Sequence, residues 1–386
     1  GKCWKEDREN RAESFALSVL QELQEEAQAM EDPRDRALTN DFALKCQTPV
    51  RVQAALAGYR MDPQNTARDK DFDSQHHLLN CENGVVDLRS MTLLPHDPSL
   101  RLSHCVPVDY DPKAQCPTFM AFLKKIFQDD PEAITCVRRF IGYACTGETG
   151  EQFYFIWLGN GQNGKSVLAS VLMGILDTYA RSCMASAFTV KRNDSSTHEL
   201  ADLVGSRVVF SGEVPETAQL NEPVLKMLTG GDTFRYRQLY QKSREGKPTF
   251  KIVLPCNRLP RISGLDNGIW RRCFIIRFDY RISETEKIED YDKILLQEKE
   301  GILAWAIAGA KEWYENRLFF PAKFQAEVAG FRNDSDPLAR FLEEECVIGF
   351  GRKVSFQDLY GRYLRWCESR HESPMSSNKF GTEIRE

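Results

Sequence analysis

The sequence lacks most of the features that would place it outside a folded, reduced compartment. No apolar run nears the length needed to cross a bilayer, and the opening GKCWKEDREN is no signal peptide. The first residue is not Met, so the chain is expected to be part of a longer protein. Its 12 cysteines include no CxxC pair. Several of them (Cys136, Cys145, Cys183) stand beside apolar residues, which predicts reduced core thiols rather than a disulfide framework or a metal set. The 6 histidines show no ligand spacing, and the adjacent His76 and His77 point to a loop. No internal repeat or low-complexity tract is present. Positive charge is in deficit: the formal net charge is −5, which excludes a uniformly basic nucleic-acid coat. Together these absences predict a cytoplasmic chain with no membrane partner.

A folded chain is expected from what is there. Its 386 residues suffice for two or three domains, and 42% hydrophobic with 28% charged residues argues against disorder. The most specific stretch is GNGQNGKSVL, residues 159–168, preceded by FYFIWL. It fills the pattern G-x-x-x-x-G-K-[ST] with Gly159, Gly164, Lys165 and Ser166. Glycines let such a loop turn its N–H groups inward as an anion nest, and the following helix adds its positive end. The strand-length run before the loop and the spacing of Val167, Leu168, Val171, Leu172 and Ile175 after it supply the required context. The loop therefore predicts a triphosphate site, ATP with Mg²⁺. Gly159, Asn160, Gly161, Gln162, Asn163, Gly164, Lys165, Ser166 and Val167 would bind the nucleotide, Lys165 reaching the terminal phosphates and Ser166 the metal.

Such a site needs an acid at the end of a neighbouring strand. RVVFSGEVPE offers Glu213 after the apolar run Val208–Phe210. Here a single acid stands where a pair is usual, so Glu213 is the expected metal ligand and water-polarising group, with Glu216 in reserve; an ordinary strand-end carboxylate is the alternative. TFKIVLPCN places Asn257 at a second strand end, where an amide could orient water or the γ-phosphate, or simply form a turn. GIWRRCFIIRF sets Arg271 and Arg272 before another strand, suited to neutralising phosphate charge across a subunit interface or to a surface ion pair.

Between the acid and Asn257, Phe234, Tyr236 and Leu239–Tyr240 predict a strand, SREGKP a turn and TFKIVL the returning strand of a β-hairpin. Residues 235–251 carry Arg235, Arg237, Lys242, Arg244, Lys247 and Lys251 against the one acid Glu245. An acidic chain that gathers positive charge on one hairpin offers a grip for a phosphate backbone, though a solvated hairpin fits charge alone as well.

The remaining chain divides by pattern. Residues 1–65 form a helical region, with Phe15, Val19, Leu20, Leu23, Ala27 and Met30 on one packing face of a helix over 10–30. MDPQNTARDKDFDSQ (61–75) reads as a loop, and LLNCENGVVDLRSMTLLPHDP as short strands and turns, opening a region that runs over 66–150. Asp130-Pro131 starts a helix that runs to about Cys145. Residues 151–283 hold the nucleotide core, and 284–330 a strongly helical segment. The tail, 331–386, predicts three short helices begun at Ser335-Asp336-Pro337, at the capping box Ser355/Asp358 and at SSNK.

Taken in order, LLNCENGVVDL, GNGQNGKS, GSRVVFSGEVPE, LKMLTGGDTFRYRQLY, LPCNRLPRISG, DNGIWRRCFIIRF and SDPLARFLEEE…LYGRYLRWCE resemble the superfamily-three helicases of phage, plasmid and poxvirus primase–helicase proteins over residues 70–386. The resemblance implies an α/β, AAA+-like P-loop core with a parallel central sheet, flanking helical segments and a small C-terminal winged-helix-like domain cut short before its wing. It implies an ATP-driven replicative DNA helicase assembled as a homo-hexameric ring on single-stranded or forked DNA, in a bacterial host or at a viral replication site. A primase or polymerase, as domain or partner, accompanies such proteins; none fits within residues 1–65. The family's phosphate loop falls on Gly159, Gly164, Lys165 and Ser166, its acid on Glu213, its sensor on Asn257, its trans arginine on Arg271 or Arg272, and its DNA hairpin within 233–252. The rival is an origin-binding initiator ATPase without processive unwinding. A nucleotide kinase shares the loop but leaves the basic hairpin unexplained.

Overall fold

Five strands of four to six residues, four of them largely apolar and buried, pair side by side, all parallel, into the sheet that carries the phosphate loop. The computed structural model describes residues 2–190, 196–236, 244–262, 267–370 and 374–385. In chain order, Leu78–Cys81 (β1), Gly84–Asp87 (β2) and Thr92–Leu94 (β3) form an antiparallel meander. There follow Tyr154–Leu158 (β4), Ala180–Cys183 (β5), Val208–Ser211 (β6), Phe234–Tyr236 (β7), Arg244–Gly246 (β8), Lys251–Cys256 (β9) and Cys273–Arg277 (β10). The central order is β10-β4-β9-β6-β5, so the strand feeding the phosphate loop lies between β10 and β9, with β6 next. Helices on both faces bury such a sheet, and its strands alternate between two cores. Phe155, Trp157, Phe210 and Phe274 face one; Tyr154, Ile156, Val209, Leu254 and Ile275 face the other.

The chain divides into two compact units, Gly1–Gln75 with His96–His104, and His76–Pro95 with Cys105–Glu386. In the first, Arg11–Ala29 (α1), Pro33–Cys46 (α2) and Pro49–Met61 (α3) pack together. The predicted apolar face of α1 is only partly used: Phe15 is 71% exposed and Val19 45%. The seam is instead made by the small buried Ala27 and Ala43 and by amide bonds, Gln24 to Asn40 at 3.2 Å and Gln47 to Gln24 at 2.6 Å. In the second unit, Pro117–Ile126 (α4), Pro131–Ala144 (α5) and Lys165–Leu176 (α6) cover one sheet face with Lys299–Asn316. Asp130 caps α5 as expected, accepting from Glu132 N–H at 2.9 Å and Ala133 N–H at 3.0 Å, with Pro131 at the first position.

Two predictions are corrected here. The hairpin exists, but its returning strand is β8, with Tyr236 opposite Arg244; TFKIVL is the central strand β9. Lys251 therefore adds no charge to the hairpin. It is buried, its Nζ donating to the Thr146 and Glu148 carbonyls and lying 4.4 Å from the Tyr143 ring centre. Arg207, before β6, is buried beside it, donating to the Cys145 and Leu78 carbonyls with its guanidinium 4.2 Å from the Tyr179 ring centre. The second correction concerns the start of the helical segment expected over 284–330: residues 284–290 are a loop, and helix begins only at Tyr291, running through a 3-10 turn at Leu296–Glu298 to Asn316, with Ile294 exposed.

The tail forms the three expected helices, Pro337–Glu345, Phe356–Ser369 and Ser377–Glu383, capped by Asp336, Ser355 and Ser376. They share their own small core of Phe341, Tyr363, Trp366 and Phe380. No strand accompanies them among the described residues. The helix before them, Ala322–Asp334, crosses the expected boundary at 330, because Phe331 packs edge-on against Trp270 at 5.0 Å.

Candidate functional site

The ends of β4, β6 and β9 deliver the predicted groups to one edge of the sheet, where ligands bind in open parallel folds. β4 runs into Gly159 and the loop, β6 into Glu213, β9 into Asn257. Gly159 must be glycine: a Cβ would fall 2.2 Å from Asn163 Nδ2 and 2.5 Å from the Phe278 carbonyl oxygen. Gly164 must be one too, with φ 85° and a would-be Cβ 2.8 Å from Ile126 Cγ2. The left-handed turn at Gly164 starts α6 at Lys165, so the loop wraps the helix N-terminus. Asn163 is buried and donates to the Phe278 carbonyl at 3.3 Å, while Asn160 and Gln162 are exposed.

Lys165 is buried, 7% exposed, and its Nζ donates to the Gly159 carbonyl and, at 3.3 Å, to Asn257 Oδ1. Burial lowers its pKa, and the Glu213 carboxylate opposes that shift. Asn257 Nδ2 donates to Glu213 Oε1, so lysine, amide and acid form one hydrogen-bonded chain. Gly161 to Val167, Glu213 and Asn257 line a cleft of about 740 Å³, with Ser166 on the first turn of α6. The hydroxyl of Ser166 and the Glu213 carboxylate, opening into one cleft, are a hard-oxygen pair suited to Mg²⁺, which takes few protein ligands alongside substrate phosphates.

Glu216 does not line this cleft; it pairs with Arg258 at 3.2 Å on the surface. Nor do Arg271 or Arg272 line it: Arg271 is exposed, and Arg272 Nη1 donates to the Gly268 carbonyl at 2.8 Å. On the hairpin, Arg235 pairs with Glu245 at 2.9 Å, and Arg244 and Lys247 are exposed. Arg237 and Lys242 lie outside the described residues.

Family models match in chain order. One described as D5 N terminal like covers residues 1–128, a family of unknown function covers 157–272, and one described as Poxvirus D5 protein-like covers 333–386. Among curated proteins, one of Acanthamoeba polyphaga mimivirus named a putative helicase is 27% identical over 78% of this chain and 34% of its own length. A putative helicase of Invertebrate iridescent virus 6 is 29% identical over 87% of this chain and 39% of its own. A putative primase of African swine fever virus (strain Badajoz 1971 Vero-adapted) is 23% identical over 72% and 31%. The chain is similar in sequence to these viral proteins, which are named putative helicases and primases. It spans about a third of the length of these viral relatives. The apo NrS-1 C terminal region superposes on 58% of this chain and 53% of its own, with TM-score 0.46 and 16% identity, a likeness too weak to argue from.

The cleft is also lined by groups that no sequence pattern points to: Phe122 and Lys125 of α4, Met173 of α6, and Ile282, Glu286, Ile288 and Tyr291 beyond β10. No motif marks them, because they reach the cleft from three separate elements.

Proposed function

We propose that the chain is the ATP-hydrolysing helicase part of a replication protein, moving single-stranded or forked DNA as a ring of identical copies. The observation that carries this reading is the convergence of Lys165, Ser166, Glu213 and Asn257 on one cleft at the carboxyl edge of a parallel sheet. Lys165 and the N–H groups at the start of α6 would hold the triphosphate. Ser166 and Glu213 would hold Mg²⁺, which when bound offsets charge on the terminal phosphates. Glu213 would accept a proton from the attacking water, with Asn257 fixing the carboxylate's direction. No arginine lines the cleft among the described residues, which favours completion by Arg271 or Arg272 of a neighbouring copy.

The basic hairpin would grip the strand and move with turnover. An origin-binding initiator keeps the same cleft, and strand displacement on a forked substrate separates the two. A primase or polymerase domain or partner is proposed from the helicase and primase names of the longer viral relatives. The test of the core reading is Lys165→Ala. ATP hydrolysis should fall by about 100-fold or more, since a fixed charge on the phosphates is lost, while the circular dichroism spectrum stays native. Turnover at the wild-type rate would sink the reading.

A further inference from the structure

The tail carries apolar surface that its own core leaves uncovered. Pro337–Glu345 and Phe356–Ser369 close on Phe341, Tyr363, Trp366 and Phe380, but the stretch that joins them, VIGFGRKV (347–354), stays outside. Phe350 is fully exposed, and Val347, Ile348 and Val354 are more than half exposed. Contiguous apolar surface left in water marks a place that binds something. The backbone presents the ring. Arg352 N–H donates to the Gly349 carbonyl at 3.2 Å, closing a β-turn with Phe350 and Gly351 at its two central positions. Gly351 has φ 77°, which suits the third position of a type II turn and which a side chain there would strain. A Cβ on Gly351 would meet no atom within 4 Å, so the turn stands in open space. Phe350 is thus a tip, set between two residues that have no side chain to shield its ring.

Charge is arranged about the tip as well. Residues 346–357 hold two cations, Arg352 and Lys353, and no acid. Both are exposed, and neither pairs with an acid among the described residues. Glu344 and Glu345, which precede the stretch, are engaged elsewhere: Glu344 with Arg370 at 2.6 Å and with the Trp366 ring N–H at 2.9 Å, Glu345 with Arg362 at 2.6 Å. We propose that the turn over residues 349–352 is a stacking tip for single-stranded DNA, with Phe350 taking the face of one base and Arg352 and Lys353 the flanking phosphates. Single-strand binders combine these two elements, an aromatic face on which any base can stack and cations that follow the backbone. A duplex, whose bases are already stacked on one another, offers the ring no free face. A second copy of this chain is the weaker occupant, since tip against tip would set Arg352 and Lys353 against the same cations. The proposal rests on the strand-binding reading for its ligand and adds a contact in the tail, outside the hairpin.

The experiment measures binding of a fluorescein-labelled oligothymidylate to the full chain by anisotropy over a range of salt concentrations. It compares wild type, Phe350→Ala, Phe350→Trp and the double variant Arg352→Ala with Lys353→Ala. Phe350→Ala should weaken binding about tenfold at every salt concentration and leave the log–log salt slope unchanged, since a stacked base is lost and no phosphate contact. Phe350→Trp should bind within about twofold of wild type, because its ring still stacks. The double variant should flatten the slope by about 1.4, at about 0.7 for each phosphate on a single strand. Wild-type affinity in Phe350→Ala would overturn the tip and leave strand binding by the hairpin standing; with a smaller assembly by mass measurement, it would make the tip a contact between copies. A loss in Phe350→Trp as large as that in Phe350→Ala would overturn stacking too. Wild type that does not bind the oligonucleotide would sink the strand-binding reading itself, and the tip with it, before any variant is made.

Discussion

Asn257 bridges Lys165 and Glu213: its Oδ1 accepts from Lys165 Nζ at 3.3 Å while its Nδ2 donates to Glu213 Oε1. The amide thus ties the phosphate-binding cation to the acid across the ends of β4, β6 and β9. Glu213→Gln keeps an oxygen that can accept from Asn257, so the geometry and ATP binding should survive. Turnover should fall by about 10²–10⁴, because the amide cannot take a proton from water. ATP affinity and steady-state hydrolysis, measured on the same preparation, check this. Wild-type turnover would move the role to another acid, with Glu216 disfavoured by its pairing to Arg258 and Asp232 the next to test.

If an arginine completes the site in trans, two inactive variants should rescue each other. Arg271→Ala is the cleaner choice, since Arg271 is exposed while Arg272 holds the Gly268 carbonyl. Mixed with Lys165→Ala, it should recover part of the ATPase activity, because some interfaces then pair an intact phosphate loop with an intact arginine. If Arg272 is the finger, Arg271→Ala stays active and the mixture is repeated with Arg272→Ala. No recovery at any ratio, in preparations shown by mass measurement to form mixed assemblies, would place the whole site within one copy.

The parts of this site that the sequence discloses are those coded locally. The phosphate loop is a spacing rule over eight residues, and Glu213 and Asn257 each follow an apolar run suited to a buried strand. Pairing is what a local pattern does not carry. TFKIVL reads as a strand, but nothing in it says that β4 and β6 are its partners, and β8 carries no β-branched residue to advertise itself. No pattern marks Lys251 or Arg207 as buried, because the carbonyls that hold them, at Thr146, Glu148, Cys145 and Leu78, lie far away in the chain. Amphipathicity reveals α1 but not that Phe15 stays exposed. The segment beyond β10 is a loop although ISETEKIED has helix-forming composition; Asp290, at φ 50°, delays the helix start to Tyr291.

The buried thiols should make the fold sensitive to alkali. Burial pushes Cys145, Cys256 and Cys273 up to about 12. A group whose folded pKa is raised contributes stability that is complete below its unfolded value, about 8.5 for cysteine. That stability is lost as pH rises toward the folded value, because the unfolded chain releases the proton first. Each such thiol should cost about 1.4 kcal/mol per pH unit above 8.5. Urea midpoints under reducing conditions should therefore hold from pH 7 to 8 and fall steeply by pH 9.5. A midpoint unchanged at pH 9.5 would mean that these thiols are solvated in the folded protein.

The hairpin tests the link between hydrolysis and strand movement. Arg235 is engaged by Glu245 at 2.9 Å, so the charges to remove are Lys242, Arg244 and Lys247. Their joint replacement by Ala takes three positive charges from residues 242–247. Every DNA phosphate that is no longer neutralised should flatten the log–log salt dependence of single-strand binding by about 0.7. Basal ATPase should persist, because neither β7 nor β8 contributes a residue to the cleft. Stimulation by DNA and unwinding of a forked substrate should fall together, since both pass through the same grip. A hairpin that is merely solvated predicts unchanged affinity, an unchanged salt slope and normal unwinding. Loss of basal ATPase together with DNA binding would point to a defect in folding or assembly. Single substitutions at Arg244 and Lys247, each costing one unit of the slope change, would then separate the two causes.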